Sequence, residues 1–476
     1  MKAIKAILYI FVGILIFAIS GGTFAAVSYG LYNQEQRIQK AVIILPGLFA
    51  SGLYDTATGE GVWDPLENTD LQFGDIISPE GLNLENIFPL LFNEELMEEL
   101  NKLFAEEGAG DADSLFNIMA MNEEGSPIVS TVKPVPWTSE SRLKFGVINA
   151  QKEMYDEMQR LYGEQYEVQC FNYDFRIDNR ISAIQLEDYI NQQGYEEVIL
   201  VSHSNGGQVA AIYLARSEAN RDKVKKYISY NAPYYGSFSA VHILEDVSGM
   251  LEGAVTMMES ILPGSSDTVV KVFQKQFMKL LNVWTAYQLL PSYELIAAPH
   301  NGEQAGFFLD GQRIEFDSQE DLWEFYCSRP WAKMTNGELR PAMSQWLDYK
   351  NSLTVLLPNG ERVLSTTLVD TVYFTGNGMP SLYQSFYRTD EGQTEYLYSE
   401  NHLLGDGTVS FSSSVAMLTD ESRIVVCDGH NHYGVVNNYQ LTAAPETKAI
   451  LDAYLEDAYQ ESNKKWYNKL WRSILQ

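Results

Sequence analysis

The chain has 476 residues, 45% of them hydrophobic, with 63 acidic against 33 basic side chains and a formal net charge of −30. So acidic a surface repels the phosphates of nucleic acid and is not drawn over long range to anionic bilayers. With no internal repeat and no low-complexity tract, the length suffices for one large core or a core carrying a cap.

Lys2 and Lys5 precede an uncharged run over 6–32 that is rich in Ile, Leu, Phe and Ala. Basic flank, apolar centre and the small residues of 20–26 fit a secretory signal. The run also exceeds the roughly 20 residues that span a bilayer, and lysines on the inner side suit an uncleaved anchor. Residues 1–33 are therefore expected to be a signal peptide or, by preference, an N-terminal membrane anchor. Either way residues 34–476 are expected outside the cytoplasm, at the cell surface or secreted.

An apolar run at 41–45 has the pattern of a buried strand and ends in Pro46-Gly47-Leu48-Phe49. The stretch at about 66–140 interrupts the pattern that follows; its acidic part, 93–124, lacks the spacing of a calcium loop and reads as a solvated surface. A helix is expected over 145–161, a strand over 166–172 and a helix over 181–193.

Residues 198–202 are fully apolar up to Ser202-His203-Ser204-Asn205-Gly206, where a helical pattern over 208–217 begins. A strand turning this tightly into a helix admits only small side chains two places either side of a nucleophile, and Ser202 and Gly206 occupy those places. Such a turn lifts Ser204 Oγ above a sheet, where a histidine can take its proton. His203 is expected to point away from the nucleophile.

After a strand at 227–230 comes a second interruption, about 240–345. Structureless stretches of this length are rare inside a domain, so both are expected to be cap or lid insertions. Residues 269–281 and 284–293 have an apolar face suited to covering an acyl pocket, although such a stripe is also ordinary core packing.

Downstream lie a strand at 372–374, the glycine-bounded Asp406 in Gly405-Asp406-Gly407, a strand at 424–427, and then His430 and His432. A terminal helix is expected over 447–460, followed by the basic, aromatic segment 464–472, which can lie at an interface or dock as a helix. Serine, acid and histidine thus stand in the chain order of a hydrolase triad. Either histidine fits; His432 is preferred because it leads directly into Tyr433-Gly434-Val435-Val436. The backbone N–H groups of Leu48 and Asn205 would then form the oxyanion hole. Alternating strand and helix patterns imply an α/β fold, a mainly parallel sheet flanked by helices with the active site at the strand carboxyl ends.

Cys170, Cys327 and Cys427 are too few and too scattered for a disulfide framework, and Cys170 and Cys427 read as small buried hydrophobes. No zinc-ligand spacing or phosphate loop is present, so no metal or cofactor is expected. His242, His300 and His402 are isolated.

Several blocks, in order, resemble the lecithin:cholesterol acyltransferase family of α/β-hydrolases. They are the strand and loop through Leu48; Phe171-Asn172-Tyr173-Asp174-Phe175-Arg176; the turn from Ser202 to Gly206; Leu289-Leu290-Pro291-Ser292; the stretch 373–380 with Ser385-Phe386-Tyr387; and the acid turn from Gly405 to Val409. Phe175 replaces a tryptophan of that family, Asn205 stands where an apolar residue is usual, and 66–140 finds no counterpart. The resemblance implies acyl-ester chemistry on lipids: Ser204 forms an acyl-enzyme that passes to water or to an alcohol. Membrane contact would come from the N-terminal segment and the lid. Two other readings are an esterase for small soluble esters and a catalytically silent binding protein at the cell surface.

Overall fold

Six strands form one parallel sheet: β1 (Lys40–Leu45), β2 (Glu167–Cys170), β3 (Glu197–His203), β4 (Val224–Tyr230), β5 (Thr371–Asn377) and β6 (Ile424–Asp428). Their spatial order is β6-β5-β4-β3-β1-β2. The structure is a computed structural model that describes residues 40–48, 50–59, 61–63, 77–78, 81–82, 120–135, 149–246, 282–297, 299, 304–416, 418, 421–432 and 434–436.

Side chains alternate across a strand, and here both faces are covered. Ala41, Ile43 and Leu45 of β1 pack with Ala183, Leu186 and Ile190 of helix α2 (Asn179–Gln193) and with Val209 to Leu214 of α3 (Gly206–Arg216). Val42 and Ile44 face the other way, toward Met154, Met158 and Tyr162 of α1 (Asn149–Tyr162) and toward Val435 and Val436. Burial on both faces is why these strands read as unbroken apolar runs rather than as alternating ones. The Asp178 side chain accepts the Arg180 N–H to start α2, and Gly194, at φ 72°, ends it in the left-handed conformation. This is the α/β-hydrolase architecture expected from the sequence: each predicted core strand is present, five of them a residue or more longer than expected and the one expected over 166–172 shortened to Glu167–Cys170.

Register brings the carboxyl ends of the strands to one edge. Leu45 pairs with Ser202, His203 with Tyr230 and Asn377 with Asp428. A second core sits beside this edge. Helices Phe238–Glu245, Gln319–Ser328 and Trp346–Ser352 pack against a four-stranded sheet of Gln312–Arg313, Gly306–Leu309, Met379–Asp390 and Gln393–Gly405. The last two strands form a long antiparallel hairpin that ends at the residue before Asp406. The apolar stretch 284–293 begins with the helix Trp284–Gln288, and Leu289-Leu290-Pro291-Ser292 separates it from a second helix, Tyr293–Ala297. A small sheet of Gly61–Trp63, Leu53–Asp55 and Val132–Pro134 ties down the described ends of the first interruption.

The N-terminal run, the 269–281 stretch, the terminal helix and the 464–472 segment lie outside the described residues, as does most of 66–140. Among the described residues no helix is long and apolar enough to cross a membrane.

Candidate active site

The turn between β3 and α3 holds Ser204 at φ 52°, a left-handed conformation that is sparsely populated by residues other than glycine. Its N–H donates to the Tyr230 carbonyl at 2.9 Å. The demand for small neighbours is steric. A β-carbon on Gly206 would overlap the Leu45 carbonyl oxygen and stand 2.6 Å from that of Pro46, and one on Gly207 would overlap the Ala232 methyl. Across the turn, a β-carbon on Gly47 would stand 3.0 Å from both Ser204 Cβ and His203 Nδ1. Ser202 is buried, with its Oγ 2.6 Å from the Tyr227 hydroxyl.

Asp406 begins the turn after the hairpin. Its Oδ1 accepts the N–H groups of Thr408 at 2.9 Å and Val409 at 2.7 Å, leaving Oδ2 directed at His432 Nδ1, 2.7 Å away. Both side chains are almost fully buried. Gly376, near the end of β5, lets the acid and the histidine loop share this space: a β-carbon there would lie 2.7 Å from Asp406 Cβ and 2.5 Å from the His430 carbonyl oxygen. His430 itself turns back, its Nδ1 2.8 Å from the Asp428 carbonyl. Of the two candidate histidines, His432 is the one that meets Asp406.

His432 is joined to the serine turn through His203. His203 Nε2 lies 3.1 Å from the His432 carbonyl oxygen, and the two rings are 4.8 Å apart. The same oxygen accepts the Asn231 Nδ2–H at 3.0 Å. Sequence reasoning gave neither residue a role. Strand geometry sends the His203 side chain off the turn, but it leads to the histidine loop rather than away from the site. The left-handed φ of 48° at Asn231, directly after β4, was the detectable sign of a special position.

Asn205 directly follows Ser204, Leu48 directly follows Gly47, which packs against Ser204 Cβ, and among the described residues neither backbone N–H is engaged in a hydrogen bond. Tyr173 supports both. Its hydroxyl donates to the Pro46 carbonyl at 2.8 Å and accepts from Asn205 Nδ2 at 3.0 Å. Asn205 and Asn179 exchange side-chain hydrogen bonds at 2.9 and 3.1 Å, and Asn179 Nδ2 also donates to the Tyr349 hydroxyl at 3.1 Å. An asparagine in place of an apolar residue after the serine is therefore fully partnered, which removes most of the cost of burying it. Beneath Tyr173, Arg176 grips Asp174 through two bonds of 2.8 Å, with Arg176 wholly buried. The carbonyl of Phe175 takes the Thr285 hydroxyl, which fastens this block to the second core.

The lecithin:cholesterol acyltransferase family matches residues 133–368, a span that takes in Tyr173 to Arg176, the Ser204 turn and Asn231 and stops short of Asp406 and His432. No curated protein matches the sequence. Among solved structures, a chain of the Tle4–Tli4 complex is 16% identical, with a TM-score of 0.43 over 88% of this chain and 99% of that one. The lipase BlEst2 of Bacillus licheniformis, in its mature form, is 14% identical, with a TM-score of 0.29 over 64% of this chain and 86% of that one. The parallel-sheet topology is that of an α/β-hydrolase, and over just under half of its length the chain is similar to the lecithin:cholesterol acyltransferase family.

Proposed function

We propose that this protein is an exported serine enzyme that cleaves a fatty acyl ester of a lipid and passes the acyl group to water or to an alcohol. Ser204 is its nucleophile, His432 its base and Asp406 the residue that orients the base. The observation that carries this reading is the buried 2.7 Å contact between Asp406 Oδ2 and His432 Nδ1, made at the sheet edge where Ser204 sits in its left-handed turn.

In the first half-reaction Ser204 Oγ bonds to the ester carbonyl carbon while its proton moves to His432 Nε2. The carbonyl oxygen becomes an oxyanion received by the Leu48 and Asn205 N–H groups; losing one such donor typically costs about 10²–10³ in rate. Asp406 keeps the Nδ1–H of His432 in place and stabilises the imidazolium. Collapse of the intermediate breaks the bond to the leaving alcohol, which takes the proton from His432 and leaves an acyl-serine. In the second half-reaction His432 takes a proton from water or an acceptor alcohol, whose oxygen bonds to the acyl carbon; the bond from that carbon to Ser204 Oγ breaks, and His432 returns the proton to Oγ. Support for lipid substrates comes from the family; support for export comes from the basic, then apolar N-terminal run.

Labelling by a fluorophosphonate probe tests the nucleophile: the wild-type protein is labelled and Ser204→Ala is not. Labelling that survives this substitution removes Ser204 from the reading. Radiolabelled phospholipid vesicles, with and without a sterol or glyceride, then separate free fatty acid from new ester. Activity that grows with acyl chain length supports a lipid substrate, since remote methylenes add transition-state binding; a flat dependence favours small soluble esters.

A further inference from the structure

We infer that Asn231 and His203 are positioning residues that clamp the backbone carbonyl of His432 and thereby set the reach of its imidazole toward Ser204. This inference rests on the catalytic reading of His432 given above. A carbonyl oxygen offers two lone pairs, and here each takes a side-chain donor: Asn231 Nδ2 at 3.0 Å and His203 Nε2 at 3.1 Å. Both donors converge on the base residue's own peptide, not on a neighbour.

Asn231 is bound on every side. Its N–H donates to the Phe374 carbonyl at 2.9 Å, and its Oδ1 accepts the Gly376 N–H at 2.8 Å. One amide therefore links the end of β4, the end of β5 and the histidine loop. Glycine takes a φ of 48° most readily, and asparagine is among the few other residues that tolerate it. Asparagine alone of these adds a donor and an acceptor in one side chain, and both are used. His203 brings in β3 from the opposite side, so the loop after β6 is held by three strand ends while its ring is held by Asp406.

The charge state of His203 suits this task. Burial first, and then the nearby His432, push its pKa down to about 3, so it remains a neutral donor at working pH. A cation in its place, with the rings 4.8 Å apart, would oppose the imidazolium that His432 must become.

The test uses the purified full chain and reads kcat and KM for a p-nitrophenyl ester from pH 5 to 9, the rate of fluorophosphonate labelling, and thermal melting. Asn231→Gly keeps the backbone angle and deletes the clamp. His203→Phe keeps the ring and deletes the donor, whereas His203→Gln can return one. Asn231→Gly and His203→Phe are each expected to lower plateau kcat on the order of 10- to 100-fold with KM little changed, as sub-ångström misplacement of a reacting group does. His203→Gln is expected to recover part of the loss. Asn231→Asp sets a carboxylate beside His432, favours its protonated form, and is expected to move the acidic limb of kcat/KM to higher pH. Folded Asn231→Gly and His203→Phe with the wild-type plateau and limb would overturn the clamp. If the Asn231 variants do not fold, His203→Phe against His203→Gln decides, and equal kcat overturns it. Absence of labelling in the wild-type protein would instead defeat the catalytic reading itself, so the two failures are distinguishable.

Discussion

Gly206 lies so close to the Leu45 carbonyl that a β-carbon would overlap its oxygen, and the Pro46 oxygen is only 2.6 Å from the same point. Both obstacles are backbone, in the strand and loop that carry the Leu48 N–H, so no rotamer change relieves them. Gly206→Ala must push the serine turn and the oxyanion loop apart. We expect a loss of about 1–3 kcal/mol in stability, as for other overpacked sites, and a labelling rate at Ser204 reduced by at least about 10²-fold from the same misplacement. Urea melts and probe kinetics on one preparation check this. A variant with wild-type melting and labelling would mean that the turn is looser than its geometry implies.

Ser204, His432 and Asp406 are expected to fail as a unit. Ser204→Ala and His432→Ala should each lower kcat by about 10⁴–10⁶, and the double variant should be no slower than the worse single one. Asp406→Asn should cost about 10⁴. The new amide would present a donor toward the His432 Nδ1 that now faces an acceptor at 2.7 Å, and so favour the other tautomer. Losses that simply multiply in the double variant would show that the residues act independently.

Tyr173→Phe removes one hydroxyl and leaves two buried groups short of a partner, the Pro46 carbonyl and Asn205 Nδ2. An unsatisfied buried polar group costs about 1–3 kcal/mol. Because both partners flank the proposed oxyanion hole, kcat should fall together with stability, while KM for a short ester stays close to wild type. A kcat equal to wild type would separate the Tyr173 network from the reaction.

The sheet and the serine turn were legible for one reason: strands covered on both faces, such as 42–45 and 198–202, are short unbroken apolar runs. The hairpin Met379–Asp390 and Gln393–Gly405 lacks that mark. Its tip is exposed, and residues such as Arg388, Glu395 and Glu400 break any continuous run, so no strand is legible there. A signal was available in Glu391-Gly392, which turns at φ 49° and 80° as a two-residue hairpin does. Asp406 and His432 were singled out by their order along the chain, which the proposed mechanism constrains. Asn231 and His203 act through a peptide oxygen some 200 positions downstream, and Asn179 reaches Tyr349 across 170 positions. No local pattern encodes such distances. They became visible only when the strand ends were set side by side.

Lys350 offers a test of stability against pH. Its Nζ is buried and donates to the carbonyls of Gln288, the last residue of the helix Trp284–Gln288, at 2.9 Å and of Leu290, two residues beyond it, at 2.7 Å. Burial pushes its pKa down from the usual 10.5 to about 7, with Glu294 opposing the shift. The folded-state value is the lower one, so between about pH 7 and 10.5 the unfolded chain binds the extra proton. Stability from this group therefore rises with pH across that window, by at most about 1.4 kcal/mol per pH unit. Lys350→Met removes the titration along with the two hydrogen bonds. The variant is expected to be less stable overall, yet its unfolding free energy should climb less steeply than that of the wild type between pH 7 and 8.5. Comparing the two proteins cancels the thiols of Cys170 and Cys327, whose raised pKa values act in the opposite direction near the top of this range. Parallel slopes in urea melts at the two pH values would show that Lys350 keeps its proton in the folded protein, and with it a charge that the carbonyls of Gln288 and Leu290 are able to hold.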